Sequence, residues 1–154
     1  MKFFVAAVLL LTCCVAMGQT QSAPASVPSE NISGTYSFLS DGEFVQIDME
    51  DDGRVTGFIS RYGDSNSDKG AFLDHLIKQG ELKGKKLHFV TRTVHGVWYE
   101  FTGTAEADDS KNPYAEGHRV LKGKLRVNTE GEKTTSKSRD VTFKSMPTED
   151  VVRK

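Results

Sequence analysis

The chain has 154 residues and a near-neutral charge, with 20 lysines and arginines against 21 aspartates and glutamates. This balance argues against a nucleic-acid-binding protein. The two cysteines are residues 13 and 14, so the chain that follows them can form no disulfide and depends on packing for its stability.

The first 18 residues have the features of a secretory signal peptide. Lys2 is a basic start, residues 3–11 are apolar, and residues 16–18 fit a small-x-small cleavage site. The apolar run is too short to span a bilayer as a helix, so we expect a secreted or periplasmic protein with no membrane span. The alternative is a lipid anchor through Cys13 or Cys14.

A single domain is expected after the leader. Residues 19–31 are rich in serine, alanine, proline and glutamine, which is typical of a flexible linker. Residues 32–147 are long enough to bury a core as one β domain, and residues 148–154 form a charged tail.

Three strands begin the domain, at residues 32–39, 43–50 and 54–62. With residues 51–53 in the loop between the second and third strands, Ile47 lies opposite Gly57 and Val45 opposite Ile59. This register gives one apolar face, and it places Arg61 inward near the end of the third strand.

Residues 72–79 fit two structures. Their apolar residues have helical spacing, whereas the segment that follows them indicates a hairpin with a two-residue turn at Gly84-Lys85. We therefore expect a short turn or helix over residues 72–75, which leads into a fourth strand at residues 76–83.

The hairpin over residues 86–105 has the clearest pattern in the chain. A three-residue loop at 94–96 places Phe89 opposite Phe101 and separates an apolar face from a polar face. Gly96 then lies where such a loop needs a positive φ. A two-residue loop at His95-Gly96 would instead mix apolar and polar residues on both faces.

The same register divides the other hairpin side chains between the faces. Thr91, Thr93 and Tyr99 point inward, so the interior is not wholly apolar. Trp98 points outward, where Arg92 can stack on it as a cation–π pair of roughly 0.5–1 kcal/mol.

Two further strands are predicted at residues 117–129 and 135–146. Eight successive strands with short antiparallel connections form a meander, which can remove its exposed edges by closing on itself. The chain is therefore predicted to be all-β, an eight-stranded antiparallel up-and-down barrel, with a β-sandwich as the alternative.

The opening strands resemble those of avidin-type barrels. Gly34-Thr35-Tyr36 is similar to the Gly-Thr-Trp opening of that family, and Thr56-Gly57 matches its Thr-Gly pair. The opening is also similar to the Gly-x-Trp start of lipocalins, so the resemblance implies a calycin-type barrel. The segment VHGVWYEF is in addition similar to one in secreted bacterial proteins, which brings no function with it.

The resemblance does not extend to biotin binding. The polar positions that hold the biotin ring in avidin-type proteins correspond here to Phe38, Gly42 and Ile59, which cannot supply those hydrogen bonds. Only Tyr36 keeps the aromatic character of its counterpart. Trp98 is the single tryptophan, where that family lines its pocket with several.

Inward polar residues form the candidate ligand site. A meander brings the ends of strands three to six to one rim, where Arg61, Lys78, Thr91, Thr93 and Tyr99 would cluster. A cationic mouth with hydroxyl groups suits a small anionic ligand. Alternatively, the two cations extend into solvent and the threonines reflect only strand propensity.

The loop after the third strand has a weak calcium pattern. Asp64, Asn66 and Asp68 alternate as oxygen ligands do, but Lys69 replaces the required glycine and His75 replaces the bidentate glutamate. A solvated turn is the alternative. No other metal and no cofactor is predicted, because the histidines lack zinc-ligand spacing.

The outer wall offers a possible contact for a second copy of the chain. Trp98, Arg92 and Val90 would form a small apolar patch there, unless Trp98 is a single surface aromatic shielded by Arg92. No nucleophile motif or phosphate loop is present, so no enzyme is predicted. Small-molecule binding is the favoured function, and a protein-interaction module or hydrolase inhibitor of the cell envelope is the alternative.

Overall fold

The computed structural model describes residues 30–148. The predicted signal peptide, both cysteines, and most of the predicted linker and tail lie outside the described residues. Eight strands occur in the described part: β1 (Gly34–Ser37), β2 (Phe44–Met49), β3 (Val55–Tyr62), β4 (Phe72–Lys83), β5 (Lys86–Thr91), β6 (Val97–Ala107), β7 (Arg119–Thr129) and β8 (Thr135–Lys144).

The strands form one strongly curled antiparallel sheet in the order β1 to β8. The sheet returns on itself where β1 meets the end of β8, through a bridge between Tyr36 and Ser145. The Met146 N–H donates to the Thr35 carbonyl oxygen at 2.8 Å in the same place. This half-barrel confirms the predicted meander rather than the sandwich. Among residues 30–148 no helix is long and apolar enough to cross a membrane.

The predicted registers of three hairpins are confirmed. Ile47 pairs with Gly57 between β2 and β3, and Leu82 pairs with Leu87 between β4 and β5. Phe89 pairs with Phe101 between β5 and β6. Each register puts apolar side chains on the concave face. A shift by one residue would move the whole set to solvent, so the burial of this face fixes the register.

Aromatic rings fill much of the interior. Phe89 stacks on Phe101 with centroids 5.3 Å apart, and Phe101 lies 5.8 Å from Phe143. Phe38 continues this series at 5.3 Å from Phe143. The remaining buried apolar side chains surround these rings: Ile32, Tyr36, Val45, Ile47, Val55, Ile59, Leu82, Leu87, Tyr99, Ala105, Leu121 and Leu125.

The expected turn or helix over residues 72–75 is wrong, because β4 begins at Phe72. The strand carries apolar residues on both faces, which imitates helical spacing in the sequence. A bulge between Ile77 and Gln79 then exchanges the faces, so that odd-numbered residues point inward before it and even-numbered residues after it.

The predicted three-residue loop between β5 and β6 is also wrong. The turn has two residues, His95 and Gly96, with φ of 49° and 75°, and Val94 pairs with Val97 across it. The register from Lys86 to Val90 is nevertheless as predicted, because Arg92 and Thr93 leave the ladder and absorb the extra residue. The Arg92 N–H turns away to the Leu76 carbonyl oxygen at 2.7 Å.

Candidate functional site

One rim of the half-barrel, which we call the mouth, carries the β1–β2, β3–β4, β5–β6 and β7–β8 connections. Arg61 lies there at the end of β3, with only 14% of its side chain exposed. Its Nη1 and Nη2 donate to the Asp64 carboxylate at 3.4 and 3.2 Å. Its Nε is buried and has no hydrogen-bond partner within residues 30–148. Burial opposes the charge, but the bond to Asp64 keeps the Arg61 pKa above its usual value.

His75 is the most enclosed polar side chain of the mouth. It pairs with Ile59 across β3 and β4, which directs it inward, and it is completely buried. Neither ring nitrogen makes a well-formed hydrogen bond in the described part of the chain, although the main chains of Arg92 and Val97 lie within reach of the ring. Burial lowers its pKa first, and the nearby Arg61 charge lowers it further, although the main chains of Arg92 and Val97 act in the opposite direction.

Tyr99 and Thr91 join the interior to the mouth. The Tyr99 N–H donates to Thr91 Oγ1 at 3.0 Å, and both residues are buried. The Tyr99 ring stands edge-on to His75 on one side and to Phe38 on the other, at 5.0 and 5.5 Å between centroids. Burial raises the pKa of the Tyr99 phenol, and the charge of Arg61 opposes the rise.

Glu43 is a buried carboxylate at the same rim. It accepts hydrogen bonds from the Ser40 N–H at 3.2 Å and from the Tyr62 N–H at 3.1 Å. These bonds fix the β1–β2 turn against β3. Glu43 therefore has a structural role, and its negative charge also raises the pKa of Arg61 and of Tyr99.

The structure brings together three of the five predicted ligand residues. Arg61, Thr91 and Tyr99 lie at the mouth, whereas Thr93 is exposed in the irregular segment after β5 and Lys78 is exposed at the β4 bulge. Two irregularities are responsible: the bulge in β4 moves Lys78 off the concave face, and the departure of Arg92 and Thr93 from the ladder does the same for Thr93. The sequence pattern did not identify His75 as a site residue, although its alternation with Ile77 places it inward once β4 is extended to Phe72.

The oxygen atoms of the predicted calcium loop point to different partners. Asp64 contacts Arg61, while Asp68 Oδ2 accepts from Ser65 Oγ at 2.6 Å and meets His95 Nδ1 at 2.7 Å. Asn66 is exposed. No group of three histidine, cysteine or acidic side chains converges as a metal site within residues 30–148.

Trp98 and Tyr99 lie on opposite faces of the sheet, as predicted, with Trp98 on the outer wall. Trp98 and Val90 are half-buried and Arg92 is exposed, so their role as a contact surface stays a prediction. A larger exposed apolar cluster lies on β3 and β4. Tyr62 stacks on Phe72 there, with centroids 4.5 Å apart.

Solved structures with the same fold are avidin-like proteins. A rhizavidin–biotin complex is 16% identical, covers 84% of this chain and 100% of its own, and has a TM-score of 0.57. A short afifavidin–biotin complex is 14% identical, covers 77% of this chain and 91% of its own, and has a TM-score of 0.55. No family model and no curated protein matches the sequence. At these identities the likeness establishes the fold alone.

Proposed function

We propose that this half-barrel binds a small anionic molecule at its mouth. The observation that carries the proposal is a pair of buried polar groups at the mouth: the unpaired Nε of Arg61, and the imidazole of His75, which makes no well-formed hydrogen bond in the described chain. Buried polar atoms are nearly always hydrogen-bonded in folded proteins, so unpaired ones that face a concave site favour a ligand as the missing partner.

The neighbours of His75 support a negatively charged ligand. The Nε of Arg61 is a second buried donor without a partner, and a guanidinium binds carboxylates through charge-assisted bonds. The pKa of His75 is lowered, so the neutral imidazole offers one donor and one acceptor. The ring contacts of Phe38, Phe101 and Phe143 occupy the interior beyond Tyr99, so the ligand is small and held near the rim.

The ligand is proposed to differ from biotin, although the rhizavidin and afifavidin structures are biotin complexes. The positions that correspond to biotin-holding polar residues are the apolar Phe38 and Ile59 and the turn residue Gly42. Phe38 packs its ring on Tyr99 and Phe143, and Ile59 is completely buried. We also propose a secreted or periplasmic location, on the leader features of residues 1–18.

Native mass spectrometry of the protein purified from its own source would identify a carried ligand. Calorimetry with hexanoate, a simple carboxylate with an apolar tail, then tests the site. We expect Arg61→Ala to weaken binding about tenfold or more, since a hydrogen bond to a charged group contributes roughly 1.5–3 kcal/mol. Tyr99→Phe tests the phenol, and Arg126→Ala, which removes an arginine that is paired with Glu100 on the outer wall, is the matched control.

Two outcomes would overturn this proposal. One is the absence both of a carried small molecule and of carboxylate binding. The other is binding that Arg61→Ala and Tyr99→Phe leave at the level of the Arg126→Ala control. Biotin serves as a further probe, and we expect it not to bind.

A further inference from the structure

We infer that Arg139 and Lys137 of β8 form a second cationic arm of the mouth, and that the ligand is a dianion with an apolar spacer, such as an α,ω-dicarboxylate. This inference rests on the proposed function, because it names the ligand class of the same site. The first arm is Arg61 on β3.

The register of β8 directs both cations to the concave side. Arg139 pairs with Leu125 and Lys137 with Val127, in the rows that contain the inward residues Phe101 and Tyr99. Further along β8, Phe143 has the same alternation and is completely buried. The two cations are therefore inward-facing by position.

They are exposed because the neighbouring strand stops short. β1 ends at Ser37, where its side chain accepts the Lys144 N–H at 3.1 Å, so the first part of β8 extends past β1 and is paired only with β7. Inward side chains in this part of β8 consequently reach the open mouth instead of the core. Neither Arg139 nor Lys137 makes an ion pair within residues 30–148.

Both arms act on the phenol of Tyr99. The charge of Arg61 lowers the pKa of this phenol and that of Arg139 does so more weakly, while the charges of Glu43 and Asp64 act in the opposite direction. The carboxylates at this end are already engaged. Glu43 accepts two main-chain N–H groups and Asp64 contacts Arg61, and neither carboxylate forms an ion pair with Arg139 or Lys137 within residues 30–148.

Apolar side chains separate the arms. The Phe38 ring lies edge-on to Tyr99 at 5.5 Å, and Val127 and Val141 are half-buried on the concave faces of β7 and β8. Where β8 meets β1 at the Tyr36–Ser145 bridge, the backbones of β3 and β8 are three strand intervals apart, which is about 14 Å. A ligand that meets both cations thus needs two negative groups joined by an apolar segment.

Calorimetry of the full chain with hexanoate and adipate compares a ligand that can meet one arm with a ligand that can meet both. A series of dicarboxylates from succinate to suberate then gives the preferred ligand length. We expect the best dicarboxylate to bind at least fivefold more tightly than hexanoate. Arg139→Gln should bring the ratio of the two dissociation constants close to one, whereas Arg61→Gln should weaken both ligands. Arg126→Gln, on the outer wall and paired with Glu100, is the control and should leave the ratio unchanged.

The outcomes distinguish this inference from the function on which it rests. If hexanoate binds and no dicarboxylate binds more tightly, or if Arg139→Gln preserves the ratio, the second arm is overturned while the anion site stands. If no carboxylate of the series binds, both are overturned.

Discussion

The imidazole ring of His75 stands edge-on to the phenol ring of Tyr99, with the ring centroids 5.0 Å apart and the planes at 82°. The contact joins β4 to β6 across the intervening strand β5. An edge-to-face pair of this kind contributes about 0.5–1.5 kcal/mol beyond the burial of its surface. It also holds two polar rings side by side at the mouth, where the buried imidazole remains neutral.

The lowered pKa of His75 makes the protein less stable in acid. Its pKa in the folded state lies below the ordinary value of 6.5 because of burial and then Arg61, so near pH 6 the unfolded chain binds more protons. The contribution to stability is complete above pH 6.5 and decreases as the pH falls toward the folded-state pKa. Urea unfolding between pH 7.5 and 5 measures this slope, which for one proton is at most about 1.4 kcal/mol per pH unit.

His75→Phe separates this residue from the other titrating groups. The phenylalanine keeps an aromatic edge against Tyr99 but binds no proton, so the variant should lose less stability than the parent between pH 7.5 and 5. His88→Gln is the control, because His88 lies on the outer wall beside Glu100. An unchanged slope in His75→Phe would show that the imidazole is not kept neutral by the fold.

The hydroxyl of Thr91 accepts the Tyr99 N–H in place of a main-chain carbonyl, at the point where β5 leaves the ladder. Thr91→Val keeps the shape but removes the acceptor for the Tyr99 N–H, and an unpaired buried donor costs about 1–3 kcal/mol. Hydrogen exchange gives the sharper measurement, because the Tyr99 amide should exchange faster in Thr91→Val and slowly in Thr91→Ser. Equal exchange in both variants would contradict the role of this hydroxyl.

The registers of the curled sheet could be predicted from the sequence because alternation is a local signal. Leu82 opposite Leu87, Ile47 opposite Gly57 and Phe89 opposite Phe101 each follow from counting outward from one turn. The same counting predicted Arg61 and Tyr99 as inward residues. Antiparallel hairpins carry most of their pairing information within about 20 residues, so a meander is unusually accessible to this reasoning.

The bulges could not be predicted, because each depends on a neighbour that is distant in sequence. Arg92 leaves β5 to donate its N–H to Leu76 on β4, and this removes Thr93 from the concave face. The bulge after Ile77 exposes Lys78 in the same way. An extra residue that is absorbed by a bulge leaves no local signature, so alternation counted past it assigns every side chain to the wrong face.

Gly57 is required where β3 lies against β2. Its φ is 124°, and an added Cβ would lie against the Gln46 carbonyl oxygen, inside the range of real contacts. Gly70 has a φ of 84° but open space around it, so Gly70→Ala carries only the backbone strain of about 1–2 kcal/mol. Thermal unfolding should therefore show Gly57→Ala to be less stable than Gly70→Ala by about 1–3 kcal/mol, which is the usual cost of overpacking. Equal losses would mean that β2 moves away without cost.

The ion pair between Asp64 and Arg61 competes with a bound anion for the same guanidinium. Asp64 is 81% exposed in its side chain and Arg61 only 14%, so solvent screens the pair from the Asp64 side and its contribution is about 1 kcal/mol or less. We therefore expect Asp64→Asn to tighten hexanoate binding by about two- to fivefold, while stability changes by about 1 kcal/mol or less. Asp51→Asn makes the same change of charge in the β2–β3 turn, at the opposite end of the sheet, and should leave the affinity unchanged. Weaker binding by Asp64→Asn would instead assign Asp64 the role of holding Arg61 in place for the ligand.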